Sequence, residues 1–310
     1  MQPSSLAPSA VLLALVAAAT AVAGPQDESL RAVKDMETAL DVSVSKPNRV
    51  AQKYVTAAPP GTRVSGGLCA APDGSAIAWW ERPYPKQDQK GVPFLFVVKP
   101  GARKQPVWLA GRAAGKVGIS SNAEVVVVIA RSFEGDRDRL LALDLRSGVS
   151  VRDLTASVTT LSLAEVEDIS VDGAGTLAAI GTRGEMQVVD IASGKPLFSE
   201  KGRFPRLSPD GSRLAFVDGE ELYLHTVASG STVHLLPGKR VMGVGGWSPD
   251  GRFLLAGAWT RLFSLEKRQI VVDTQTGTYG VIGKLGEGDY GSQFAWISSK
   301  LLTHDRLSQP

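Results

Sequence analysis

The feature that most restricts how this chain can fold is a turn that recurs along it. Ala71-Pro72-Asp73-Gly74, Ser208-Pro209-Asp210-Gly211 and Ser248-Pro249-Asp250-Gly251 are copies of one corner, and Ser170-Val171-Asp172-Gly173 is a weaker copy. Ser120-Ser121-Asn122-Ala123 and Ser298-Ser299 continue the series in degenerate form. The spacing is about 40 to 50 residues, the period of a propeller blade. Each residue type has a physical reason. Pro presets φ to about −65°, Asp hydrogen-bonds nearby backbone, and Gly takes the positive φ that closes a tight hairpin.

The residues around each turn read as strands. Arg203 to Leu207 leads into one copy, and Arg213 to Val217 leads out of it with apolar and aromatic residues. Ala76 to Trp80, Glu124 to Ala130, Thr176 to Ile180 and Phe253 to Ala256 are the matching exits. A second signature follows, an apolar strand ending in a short polar link and Gly: Leu140 to Gly148, Met186 to Gly194, Leu222 to Gly230 and Gln269 to Gly277, with Phe94 to Gly101 as a looser copy. Each predicts a third strand turning into a fourth, such as Thr232 to Leu236 or Tyr279 to Ile282.

A unit of four antiparallel strands cannot bury its own faces, so neighbouring units must pack on each other. Radial closure does this and leaves only short edges. The fold class expected is therefore all-β, a propeller of six four-stranded blades. Gln293 to Ile297 and Lys300 to Thr303 supply two strands of the sixth, and Val50 to Ala57 returns from the N-terminal segment to complete it. A five-bladed ring and a truncated chain compete with this closure. A stacked sandwich or two small β domains also accommodate turns at such spacing.

The Ser-Pro-Asp-Gly-x-x-Leu-Ala hairpin, followed by Leu222-Tyr223 and Ser229-Gly230, resembles the repeat of TolB-like propellers, which also occurs in the propellers of prolyl oligopeptidase relatives. The likeness extends over residues 66 to 304. It implies the fold and says little about function, because the repeat recurs in binding proteins, lyases and peptidases. TolB carries an α/β domain before its propeller, and the oligopeptidase relatives carry a hydrolase domain after theirs. Neither has room here, so the chain resembles the propeller alone.

Before the repeats, Ala10 to Ala23 is a small and apolar run ending in Ala21-Val22-Ala23 and Gly24, the pattern that a signal peptidase accepts. No Lys or Arg precedes it, and an Ala-rich tail is the competing reading. The organisation expected is a signal peptide over 1–23, a short helix and linker over 24–45, and the propeller over 46–310, in a periplasmic or secreted protein. No second run of spanning length follows, so no membrane anchor is expected after cleavage. A formal charge of +3, from 34 basic and 31 acidic residues, lacks the basic stripe of a nucleic-acid binder. The single Cys69 lies in an apolar strand, where an inert buried thiol is the simplest reading.

Catalytic signatures are sparse. A nucleophile elbow needs Gly-x-Ser-x-Gly, and Gly246-Trp247-Ser248-Pro249-Asp250 comes closest, with its Ser already explained by the turn. His225, His234 and His304 are dispersed, whereas TolB-like lyases use several His at the propeller centre. No catalytic residue, metal or cofactor is assigned. Gly243 to Gly246 fits close packing of an innermost strand better than a phosphate loop. Trp79, Trp80, Trp247 and Trp296 read as core between blades.

Topology narrows where a partner would dock. In an up-and-down blade, successive turns alternate between the two faces of the disc. The short Pro-Asp-Gly and Ser-Gly turns share one face, which leaves the variable second-to-third-strand loops and the links between blades on the other. The longest of these loops are Glu81 to Pro93, Arg131 to Arg139 and Trp259 to Lys267. Their Arg82, Tyr84, Lys86, Arg131, Phe133, Asp136, Trp259, Arg261 and Phe263 are the candidate partner-binding residues, since Arg and aromatic side chains anchor interfaces. Solvated loops without a partner are the bland alternative. The expectation is a monomeric, non-catalytic platform in the cell envelope that binds a protein or peptide. A lyase, a hydrolase or a ligand sensor using the central channel is the alternative.

Overall fold

A computed structural model describes residues 62–83, 94–99, 105–107, 112–132, 137–259 and 266–285. They form five four-stranded antiparallel sheets, each in simple meander order. The first comprises β1 (Thr62–Ala70), β2 (Ile77–Pro83), β3 (Phe94–Val98) and β4 (Gln105–Val107). The second comprises β5 (Arg112–Ile119), β6 (Val125–Ser132), β7 (Arg139–Asp144) and β8 (Ser150–Asp153). The third runs β9 (Asp168–Val171), β10 (Leu177–Gly181), β11 (Glu185–Asp190) and β12 (Pro196–Lys201). The fourth runs β13 (Arg203–Leu207), β14 (Arg213–Asp218), β15 (Glu221–Thr226) and β16 (Ser231–His234). The fifth runs β17 (Val241–Trp247), β18 (Phe253–Trp259), β19 (Lys267–Asp273) and β20 (Thr278–Lys284). Within these ranges the structure has a strand wherever the repeat predicted one.

The first strands are innermost and pack in sequence, β1 on β5, β5 on β9, β9 on β13 and β13 on β17. That radial order makes the sheets propeller blades and removes the sandwich and two-domain alternatives. The residues assigned to the sixth blade, 293–303 and 50–57, lie outside the described residues, as do the signal peptide and the helix before it.

Side-chain alternation explains why the blades must stack. On β6, Val126, Val128 and Ala130 join the core shared with the first blade. Their neighbours Val125, Val127 and Ile129 point the other way and join the core shared with the third. β14 divides in the same manner, Leu214 and Phe216 packing toward the third blade and Ala215 and Val217 toward the fifth. A strand has period two, so both faces are buried only when the run is continuously apolar, as Val125 to Ala130 is. The end blades follow the same rule. Ile77 and Trp79 on β2, turned away from the second blade, are buried, and so is Leu255 on β18, turned away from the fourth. At these positions the outward-turned faces of the two end blades are buried as well.

The recurring turn also joins blade to blade. In the fourth blade the Ser208 hydroxyl accepts the Arg213 N–H at 3.0 Å and donates to Asp210, whose Oδ1 accepts the Ser212 N–H at 3.1 Å. Gly211 closes the corner at φ 70°. The third blade departs from the sequence reading. Its turn begins at Asp172 rather than Ser170, because Gly175 takes the positive φ of 69° and Asp172 N–H, not Ser170 N–H, donates across the corner to Leu177 O at 3.1 Å. The Asp172 carboxylate does the work of the missing Ser, accepting the Thr176 and Leu177 N–H groups at 2.7 and 2.8 Å. Neighbouring turns then link in series. Asn122 N–H donates to Ser75 Oγ at 2.8 Å, Ser121 N–H to Gly173 O at 3.1 Å, and Gly173 N–H to Pro209 O at 2.8 Å. Arg213 completes the series by reaching Gly251 O and, at 3.0 Å, Thr274 Oγ1.

Candidate functional site

The strands run further than the sequence reading allowed. Arg82 ends up in β2, paired with Arg63, and Arg131 in β6, paired with Ala113, so both sit at strand ends rather than in loops. Trp259 is the last residue of β18, paired with Lys267. Tyr84, Lys86, Phe133, Asp136, Arg261 and Phe263 lie outside the described residues.

A cleft of about 350 Å³ opens beside Trp259, between the third, fourth and fifth blades. Its walls are the β10–β11 turn (Arg183, Gly184), the link into β13 (Gly202 to Phe204), the β14–β15 turn (Asp218 to Glu220), the start of β17 (Val241, Met242), and Trp259 with Lys267. Every one of these belongs to the face that carries the second-to-third-strand turns and the links between blades. The short, mutually bonded turns occupy the opposite face.

Charge is organised in layers around the cleft. Glu167, just before β9, divides its oxygens between two arginines, one to Arg183 Nε at 3.0 Å and the other to Arg203 Nη2 at 2.8 Å. Burial would raise the Glu167 carboxyl, but the hydrogen bonds from Arg203 and Arg183 outweigh it and hold it below the ordinary carboxylate range. Glu220 grips Arg240 with both oxygens, accepting from Nε at 2.6 Å and Nη2 at 2.8 Å. Those hydrogen bonds lower the Glu220 carboxyl. Arg240 and Lys267 lie 5.7 and 5.6 Å from the centre of the Trp259 ring, and Arg203 lies 4.7 Å from that of Phe204, all within cation–π range.

Two features of the cleft were not legible in the sequence. Phe204 and Glu220 have positive φ of 54° and 72° without being Gly. For a bulky residue such as Phe204 this is a true outlier, costing on the order of 1–3 kcal/mol. Among the described residues the other non-Gly positions with positive φ, Asn122 and Ala123, sit together in the degenerate turn of the second blade. Strain at Phe204 has a local origin, since the β13–β14 register shifts between Arg203 and Arg206. The second feature is a pair of donors: Trp259 Nε1–H and Arg203 Nε–H are shielded from water and meet no acceptor among the described residues.

A different cluster lines the innermost strands. Asp168 on β9 pairs with Arg206 on β13, with both side chains mostly buried, and accepts the Ile169 N–H at 3.0 Å. Burial raises the Asp168 carboxyl, with Arg206 and Lys116 opposing that rise. Cys69 on β1 is close enough to feel both charges, and its burial pushes the thiol up to about 12. The Ser248 hydroxyl, nearest to a nucleophile elbow by sequence, donates to Asp250 and accepts the Phe253 N–H at 2.8 Å, so the turn consumes it. His225 and His234 are brought onto adjacent strands, β15 and β16, where His225 bonds Thr232 and His234 stacks on Tyr223. Among the described residues no group of His, Cys, Asp and Glu converges as metal ligands.

No protein-family model matches the chain, and no curated protein matches its sequence. Solved structures do match. The propeller domain of the Trilobed protease from Pyrococcus furiosus superposes with a TM-score of 0.51 at 12% identity, over 74% of this chain and 72% of that one. A candidate TolB from Agrobacterium tumefaciens gives 0.50 at 15% identity, over 74% of this chain and 83% of that one. TolB from Acinetobacter baumannii gives 0.48 at 16% identity and covers 72% of this chain, which spans only 55% of that longer protein. At such identities the likeness shows the fold, a β-propeller of the kind found in TolB and in a protease's propeller domain.

Proposed function

We propose that the protein is an envelope binding platform that takes a protein or peptide partner on the face bearing the Trp259 cleft, and that it does not act as an enzyme there. The observation that carries this reading is the make-up of the cleft. A half-buried indole, a strained Phe204 and the arginines Arg183 and Arg203 surround an open space, and Trp and Arg are residue types that dominate binding hot spots. Among the described residues no nucleophile–base pair lines it. Strain at Phe204 favours function over packing alone, because costly backbone conformations persist where the surroundings over-determine them. Similarity in fold to TolB and the apolar N-terminal run support a periplasmic or secreted setting.

The test is partner capture from the envelope fraction of the source cells with the intact chain and a Trp259→Ser variant. The reading expects at least one captured protein to be lost in the variant while its melting temperature stays close to that of the parent. Capture unchanged by Trp259→Ser would overturn it. A second reading, channel chemistry, has one observation in its favour, the buried Asp168 carboxyl with its raised pKa. Its engagement by Arg206 makes Asp168 equally a structural partner, so the channel is the weaker reading.

A further inference from the structure

We infer a second docking site outside the Trp259 cleft, a groove at the rim between the outer strands of the fourth and fifth blades. Its occupant is an extended segment of a partner protein with alternate apolar side chains and a carboxylate. Strand register defines the walls. Val233 on β16 pairs with Leu224, and Tyr279 and Val281 on β20 pair with Val272 and Ile270. Leu224, Ile270 and Val272 all belong to the buried core between the two blades. Directly opposed residues share a face of their sheet, so Val233, Tyr279 and Val281 stand over that core from the two sides of the seam. They nevertheless remain 53%, 42% and 47% exposed.

Other seams of the molecule say what belongs there. Between the second and third blades the chain fills the seam itself. The link 154–167 from β8 to β9 buries Leu154, Val158 and Leu161 in that core and packs Leu163 against it. The link from β16 to β17 spans only 235–240; it buries Leu235 and Leu236 and leaves the three side chains above the core open. Outer strands elsewhere carry charges that keep an apolar segment off, Arg152 and Asp153 on β8 and Glu200 and Lys201 on β12. β16 has no Lys, Arg, Asp or Glu, and β20 has only Lys284, its last residue. Tyr279 and Val281 are two residues apart, which matches side chains at every second position of an extended segment. Charge selects the rest of the occupant. Lys239 Nζ lies 4.8 Å from the centre of the Tyr279 ring and makes no ion pair among the described residues. The carboxylates on the wall strands are engaged, Glu221 accepting the Tyr223 O–H at 2.8 Å and Asp273 pairing with Arg252, while Glu220 grips Arg240. A carboxylate on the incoming segment therefore suits Lys239.

The link that fills the other seam supplies the probe. Its residues 161–165, Leu-Ser-Leu-Ala-Glu, put two Leu and a Glu on one side of an extended chain. Acetyl-Leu-Ser-Leu-Ala-Glu-amide, its Gln analogue and acetyl-Ser-Ser-Ser-Ala-Glu-amide are titrated into the full chain labelled with ¹³C at the valine methyls. Val233 and Val281 are assigned from Val233→Ala and Val281→Ala variants. The Glu peptide should shift both resonances saturably. The Gln peptide should bind about two- to fivefold more weakly, as loss of a solvated ion pair implies, and the Ser peptide should not bind. Lys239→Met should abolish the difference between Glu and Gln, while Val149 and Val151, exposed valines of the second blade, stay unmoved. No saturable shift at Val233 and Val281, an equal response at Val149 and Val151, equal binding of the Glu and Gln peptides, or a Glu preference that survives Lys239→Met each overturns the inference. Methyl shifts that follow protein concentration without peptide would assign the groove to a second copy of the chain and overturn it too. Trp259 takes no part in these titrations, so the platform reading stands or falls separately on its own capture test.

Discussion

Replacing Gly175 by Ala should cost far more than the same change at Gly251, although the two residues hold one position in two copies of one turn. Their φ values are nearly equal, 69° and 68°, so the backbone penalty of placing a Cβ in the left-handed region is shared, at about 1 kcal/mol. The surroundings differ. A Cβ on Gly251 meets nothing closer than the Arg213 Nη2 at 3.4 Å, the far end of a flexible side chain. A Cβ on Gly175 would lie 2.5 Å from Val125 Cγ2 and 2.7 Å from Val125 Cβ in the second blade. Val125 is a buried core residue next to the backbone and cannot move aside, and overpacking of this kind adds roughly 1–3 kcal/mol. Gly175→Ala is therefore expected to destabilise by about 2–4 kcal/mol and Gly251→Ala by about 1. Urea denaturation followed by tryptophan fluorescence reads both, with an unchanged m-value as the check that one transition is being compared. Equal losses in the two variants would refute the blade-to-blade contact between this turn and β6.

Other expectations follow from the same geometry. Arg213→Met removes charge-assisted bonds to Gly251 O and Thr274 in the neighbouring blade and should cost about 2 kcal/mol. Arg240→Met, which breaks an exposed pair with Glu220, should cost distinctly less, and the reverse order in melting temperature would contradict the assignment. Burial lowers the pKa of His225, which stacks on Phe198 at 3.9 Å between the third and fourth blades. A neutral imidazole is thus favoured in the fold; its stability contribution is complete above pH 6.5 and is lost as pH falls below that value toward the depressed native pKa. Melting curves from pH 8 to pH 5 should show this slope, and His225→Gln should flatten it. Cys69, with its thiol at about 12, should resist iodoacetamide at pH 8 in the native protein and react once the chain is unfolded in urea. Fast native labelling would show that β1 is not packed as described.

Much of the fold was legible because the repeat writes its chemistry into residue types. Pro-Asp-Gly corners and continuous apolar runs such as Val125 to Ala130 each admit one structural reading, and the strands fall where those signals stand. The third blade was misaligned by two residues because an Asp replaced a Ser in function: Asp172 bonds the Leu177 N–H, the position that Ser208 bonds at Arg213 in the fourth. Composition cannot reveal that exchange; only the position of the positive φ does. The cleft was half legible. Alternation of turns put Trp259 on the face of the second-to-third-strand turns, where the cleft opens, but Arg203 and Phe204 lie in a strand that reads as ordinary blade interior. Their place in the cleft wall comes from a register shift on β13 and from Glu167 in another blade, both features that leave no mark in sequence spacing.

The central claim is that partners meet one face of the disc, the face with the cleft. A photo-crosslinking amino acid placed singly at Gly219 or Lys239 reports on that face, and one placed at Ser147 or Thr276 reports on the face of the short turns; each of the four lies in a turn or link between strands. Irradiation of the full chain in its native cells should give discrete adducts from the first pair and none from the second. Adducts from Ser147 and Thr276 with silence at Gly219 and Lys239 would contradict it.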